Sequence, residues 1–131
     1  MSRQRATAII IQNKKILLVR DELASFFSMP GGMIESGEDQ LSALAREVEE
    51  EIGVPVVSAS PYHSFDLVNQ TYNVPQTDHT YLVTISGIPI CSHEICELGW
   101  YSKEDILSRK IEVPPAFLTK LAPKLIDENF L

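Results

Sequence analysis

Residues 39–52 constrain this chain more than any other stretch of it. At about 100° per residue, Leu41, Leu44, Ala45, Val48 and Ile52 fall within roughly 100° of arc, the pattern of a helix with one packed face. Gly53 follows the last turn and Pro55 comes two residues later, so the helix must stop there. With Glu47 set at 0°, Glu51 falls near 40° and Glu50 near 300°, which puts three carboxylates on one stripe about 100° wide. The centre of the apolar arc lies about 120° away, so the stripe is expected along the rim of the packed face, with Glu49 in solvent.

The charge of the whole chain is concentrated here. The 131 residues carry a net charge of -7, and the 23 residues 32–54 hold seven acids and one base, Arg46. The other 108 residues carry eleven acids and ten bases, close to balance. Three like charges at i, i+3 and i+4 disfavour an isolated helix by a few tenths of a kcal/mol per pair. Two readings stay open on spacing alone: a solvated acidic face, or a site for a hard divalent cation that prefers carboxylate oxygens. Zn²⁺ is disfavoured because no His or Cys accompanies the stripe. No basic stripe exists that would track a nucleic-acid backbone, so a nucleic acid polymer is excluded as partner.

The remaining pattern describes one domain over residues 1–131, with 44% hydrophobic residues for a single core. A strand is expected over 3–12, a turn at 13–15, a returning strand over 16–20 and a loop over 21–28. Pro30-Gly31-Gly32 reads as a break. Strands follow at 56–60, 62–68, 79–85 and 98–101, with a polar loop over 69–78. Ser102 to Asp105 reads as a capping box that starts a short helix, and Pro114-Pro115 opens a C-terminal helix that Pro123 must kink or split. This order implies a mixed α/β or α+β sandwich. No run approaches the roughly 18 apolar residues of a membrane span, and the apolar run 8–11 is too short for a signal peptide, so a cytoplasmic location is expected. Cys91 and Cys96 are expected to be reduced and structural.

Written out, Gly32, five residues, Glu38, seven residues and Arg46-Glu47-Val48-Glu49-Glu50-Glu51-Ile52-Gly53-Val54 resemble a complete Nudix box, GX5EX7REUXEEXGU, with every specified position matched. The resemblance, to MutT-like Nudix hydrolases, implies an α/β/α sandwich with a mixed β-sheet. It implies metal-dependent hydrolysis of a nucleoside diphosphate linked to a further group, by water attack on phosphorus. Glu47, Glu50 and Glu51 would then hold Mg²⁺ or Mn²⁺, with the Gly31 carbonyl as a further ligand, and Glu38 would pair with Arg46. Glu47 or a loop glutamate, Glu94, would be the general base, Glu97 being the competitor to Glu94. The resemblance also carries the expectation of a homodimer.

Substrate residues are sought among aromatic side chains able to stack on a base: Phe26 and Phe27 ahead of the glycines, Tyr72, and Phe117 after Pro114-Pro115. Phe117 stands where oxidised-guanine hydrolases have an asparagine. A reading from another class is a Nudix-fold nucleotide-binding or regulatory module without turnover; such modules usually lose box glutamates, and this chain keeps them all.

Overall fold

The computed structural model describes residues 2–69 and 71–131, the Cys96 side chain excepted. Strand β1 (Arg3–Ile9) is followed by a two-residue β2 (Ile11–Gln12), then β3 (Lys15–Asp21) and β4 (Gly31–Met33). Helix α1 (Gln40–Ile52) precedes a long hairpin of β5 (Val56–Asn69) and β6 (Val74–Ile85), and then β7 (Ile95–Tyr101). Helix α2 (Lys103–Leu107) and a C-terminal helical segment complete the chain.

The strands form two sheets, in the orders β4-β1-β6-β5 and β2-β3-β7. The first is mixed: β1 runs parallel to β6 but antiparallel to β4. The strand expected over 3–12 is therefore broken at Ile10, with β1 and β2 in different sheets. Only β2 pairs with β3 as a hairpin, through Asn13 and Lys14, both with positive φ as a tight twisted turn demands.

Strand alternation assigns the core to two sides. Ala6, Ala8, Ile10, Leu17 and Val19 pack with Leu44, Val48 and Ile52 of α1. Their neighbours Ile9, Ile16 and Leu18 point the other way, onto Ile106, Leu121 and Leu125 of the later helices. The result is helix, sheets, helix, as the resemblance implies.

Local signals set the helix ends. Asp39 caps α1 by accepting from Ser42 N–H at 2.7 Å, and Gly53, left-handed at φ 70°, ends it. Ser102 and Asp105 form the expected capping box on α2. Pro123, lacking an N–H, splits the last helix: Phe117–Leu121 is a π-helical turn and α3 spans Ala122–Asp127.

Three expectations need correction. The packed face of α1 is Ala43, Leu44, Val48, Glu51 and Ile52, while Leu41 is 53% exposed and Ala45 is also exposed. The buried arc is thus centred near Glu51 rather than about 120° from the carboxylate stripe. Second, Gly31 and Gly32 belong to a strand, not a loop. The missing side chain of Gly32 lets the Glu47 carboxylate press against β4, and the Gly31 N–H draws in Glu51, which rotates the packed face. Third, β6 begins at Val74, so most of the polar stretch 69–78 is strand. Its alternating Gln76, Asp78 and Thr80 are buried, which makes the segment read as loop by composition alone.

Arg46 fastens α1 to β4. Its guanidinium grips Glu38 with two bonds, Nε to Oε2 at 2.8 Å and Nη2 to Oε1 at 3.0 Å, and donates to the Met33 carbonyl at 3.2 Å. This pairing, with the Glu35 N–H, holds the Glu38 carboxyl down at about 2, and Glu38 in turn raises the pKa of Arg46.

Two stability predictions follow from this frame. A Cβ on Gly31, where φ is 150°, would lie 2.3 Å from the Ala6 carbonyl oxygen, a backbone atom that cannot turn aside. Gly31→Ala should therefore lower the unfolding free energy by about 3 kcal/mol or more in urea titration; a loss under 1 kcal/mol would mean that β4 can shift. Because the folded pKa of Glu38 is depressed from 4.5, its stabilisation is complete above the unfolded value and lost as pH falls towards about 2. The urea midpoint of wild type should therefore drop more than that of Glu38→Gln between pH 5 and pH 2, whereas parallel curves would remove the linkage.

Candidate active site

The three stripe carboxylates lie at different depths. Glu51 is 9% exposed, and its Oε1 accepts the Gly31 N–H at 2.9 Å. Burial pushes its carboxyl up to about 7; the Gly31 bond opposes this, and the Glu47 charge adds to it. Glu47 lies over Gly32, where a Cβ would come within 2.4 Å of its carboxyl carbon. Burial raises its pKa too, against the Arg46 Nη1 bond at 2.8 Å. Glu50 is at the rim, its side chain 45% exposed and 3.8 Å from Arg46 Nη1. Glu49 is exposed, as expected.

The donor set is carboxylate oxygen with backbone close by, which suits Mg²⁺ or Mn²⁺ and not Zn²⁺. Gly32 leaves the space that the Glu47 carboxylate fills. As the side chains stand, no three His, Cys, Asp or Glu among the described residues are gathered tightly enough to hold an ion. Glu47 is turned onto Arg46, and Gly31 donates its N–H to Glu51.

Glu94 is exposed in the turn before β7 and close enough for its charge to raise the pKa of Glu51. Glu97 is engaged elsewhere, paired with Arg20 at 2.6 Å across β3 and β7. That leaves Glu94 as the loop carboxylate whose charge reaches the stripe. Cys91, expected to be structural, is free and exposed.

A cleft of about 650 Å³, mouth included, opens on the face of the first sheet opposite α1. Phe26, Phe65, Pro114 and Phe117 form apolar walls around Gln76 and Asp78. Phe26 and Phe117, far apart in sequence, thus meet in one site. Phe27 does not join them: it is buried in the core, its ring edge-to-face with Tyr101 at 5.5 Å. Tyr72 does not line it either; it is 62% exposed in the β5–β6 turn, with the Arg3 guanidinium 4.6 Å over its ring.

The polar floor has a fixed direction. Asn69 Nδ2 donates to Gln76 Oε1 at 2.9 Å, and Gln76 Nε2 donates to Asp78 Oδ1 at 2.8 Å. The relay ends on a carboxylate, a group that accepts when ionised. Thr7 Oγ1, also on the cleft, is buried without a hydrogen-bond partner. Arg5 lines the cleft, and its charge favours the ionised forms of Glu47 and Glu51, so it links the two halves of the site.

Sequence reasoning missed Arg5, Gln76, Asp78 and His93, whose ring meets the Glu50 carbonyl at 2.9 Å. Period-two spacing of Gln76, Asp78 and Thr80 was a usable signal, hidden by their polarity. Nothing local marks Arg5 or His93.

Comparison with known proteins agrees with this geometry. The NUDIX domain model matches residues 2–121. An uncharacterised Nudix hydrolase of Yersinia pestis is 29% identical over 97% of this chain and 74% of its own length. A putative mutator protein, MutT4, of Mycobacterium tuberculosis is 30% identical over 78% of this chain, which spans only 43% of that longer protein. The crystal structure of a MutT Nudix hydrolase from Burkholderia pseudomallei superposes with a TM-score of 0.79 at 25% identity, covering 95% of this chain and 97% of the other. With its box intact on α1 and its mixed sheet between helical layers, the chain belongs to the Nudix hydrolase family.

Proposed function

We propose that this protein hydrolyses a nucleoside diphosphate linked to a further group, with the phosphates at Glu47, Glu50 and Glu51 and the base in the Phe26–Phe117 cleft. The observation that carries the reading is the setting of Glu47 in the space left by Gly32 and of Glu51 on the Gly31 N–H, with Arg5 between these carboxylates and the cleft. Carboxylates withdrawn from water beside one another repel, and the Gly31 N–H and Arg46 each meet one of them without removing that repulsion.

Glu47, Glu50 and Glu51, with the Gly31 carbonyl, would hold Mg²⁺ or Mn²⁺. When bound, such an ion neutralises charge on the diphosphate and acidifies a coordinated water. The chain's own contributions are distinct. Arg46 favours the ionised form of Glu47 against the effect of burial and orients it, and Glu38 keeps Arg46 in place. Glu94 accepts the proton of the attacking water. Phe26 and Phe117 take the base by stacking, and Asp78 accepts from an N–H on its edge.

Hydrolysis should vanish on exhaustive chelation. Glu50→Gln should lower kcat by about 10²-fold or more, since a lost ligand removes several kcal/mol of charge stabilisation, while Glu49→Gln stays near wild type. Activity that survives chelation, or equal losses at both positions, would sink the assignment. Millimolar Mg²⁺ should also raise the wild-type Tm and raise that of Glu50→Gln much less, because binding only the native state stabilises it. Equal shifts in both proteins would indicate salt screening alone.

Asp78→Asn should alter selectivity among nucleoside triphosphates rather than depress all alike. Preference for bases presenting N–H donors should fall about 10-fold or more, the worth of a hydrogen bond to a charged group. A uniform fall in kcat/KM across four bases would remove Asp78 from base recognition.

A further inference from the structure

The last four carbonyls of an α-helix find no partner within it. In α1 all four are met. Gly53 N–H reaches Glu49 O at 3.0 Å, Ile90 N–H reaches Ile52 O at 2.9 Å, and Ser92 N–H reaches Glu51 O at 3.1 Å. The fourth partner is a side chain, the Nδ1 of His93, 2.9 Å from Glu50 O and 3.1 Å from Ser92 Oγ. Three of the four come from the segment that connects β6 to β7.

A carbonyl can only accept, so the contact to Glu50 places a proton on Nδ1 of His93. The His93 backbone is left-handed, with φ 51°, a conformation uncommon for a residue with a β-carbon. The next residue is Glu94, whose carbonyl accepts the Glu22 N–H at 2.9 Å and is thereby tied to the segment after β3. Glu94 thus stands between two anchors, and the one on the α1 side is the histidine ring immediately before it.

We propose that His93 is a positioning residue that holds the Glu94 carboxylate toward the stripe of α1. The proposal rests on the reading in which Glu94 takes a proton at the reacting phosphate. The Ile90 and Ser92 N–H groups fix the segment upstream, and the Ser92 carbonyl accepts the Ile95 N–H at 3.1 Å to close the turn over residues 92–95, while the ring ties residue 93 itself to α1. That turn sets the direction in which Glu94 leaves. Without the ring's hold on Glu50 O the closed turn can pivot at Ser92 relative to α1, and a small rotation there moves a carboxylate at the end of a side chain by an ångström or more.

Steady-state kinetics with Mg²⁺, on whichever nucleoside triphosphate wild type turns over, test this on the full chain. His93→Ala should lower kcat about 10-fold, the scale of a misplaced catalytic group, and leave KM within about twofold. His93→Asn should restore most of the loss, because asparagine tolerates positive φ and carries an N–H donor of similar reach. In a Glu94→Gln background, His93→Ala should cost nothing further. A lowered Tm with unchanged kcat would reduce His93 to a helix cap and overturn the proposal. So would losses that multiply in the double variant. If Glu50→Gln abolishes turnover but Glu94→Gln does not, the His93 proposal fails while the hydrolase reading stands. No hydrolysis by wild type of any nucleotide tested would overturn both.

Discussion

One guanidinium holds the acidic helix in register with the glycine strand. Arg46 is the single base among residues 32–54, and it contacts Glu38, Glu47 and the Met33 carbonyl at once. Its grip on Glu38 ties the approach to the helix; its grip on Glu47 sets the direction of the first stripe carboxylate. Glu50 and Glu35 lie 3.8 Å away, close enough for the same charge to be shared. A lysine would offer a point charge with no fork, and the bidentate hold on Glu38 would be lost.

Strand β1 performs the other division of labour. Its even residues, Ala6 and Ala8, are small and buried, so α1 approaches closely. Its odd residues Arg5 and Thr7 face the cleft. Because β4 pairs with the same strand through Thr7↔Gly31 and Ala6↔Gly32, the glycines that receive the carboxylates and the side chains that line the cleft share one register. A slip of one residue would exchange the two faces and destroy both.

What the sequence made legible were features with local causes. Gly53 ends α1, the Ser102 box starts α2, and Pro123 splits the last helix, each through a rule that acts within a few residues. The spacing of Glu47, Glu50 and Glu51 likewise needs only the helical period. The errors arose where tertiary contact overrides local preference. Hydrophobicity drew the packed face of α1 through Leu41 and Ala45, whereas the space at Gly32 and the N–H of Gly31 rotate it onto Glu51. Gln76 and Asp78 are polar because they face a cleft, yet polarity within a strand mimics a loop. Phe26 and Phe117 carried no sign that they meet, since 91 residues separate them.

The burial of Glu47 and Glu51 has a consequence for the metal reading. Two unit charges 4 Å apart interact by about 1 kcal/mol in water and about 4 kcal/mol at the effective dielectric near a protein surface. Crowding carboxylates onto one face therefore costs more as they are withdrawn from water, and the chain meets part of that cost by raising the pKa values of Glu47 and Glu51. A phosphate chain approaching this surface adds repulsion of the same kind. Arg5 and Arg46 cannot offset both, because Arg46 is already committed to Glu38 and Glu47. Under the proposed reading the deficit is the selecting device: a polyanion is admitted when it comes with a divalent cation and repelled when it does not.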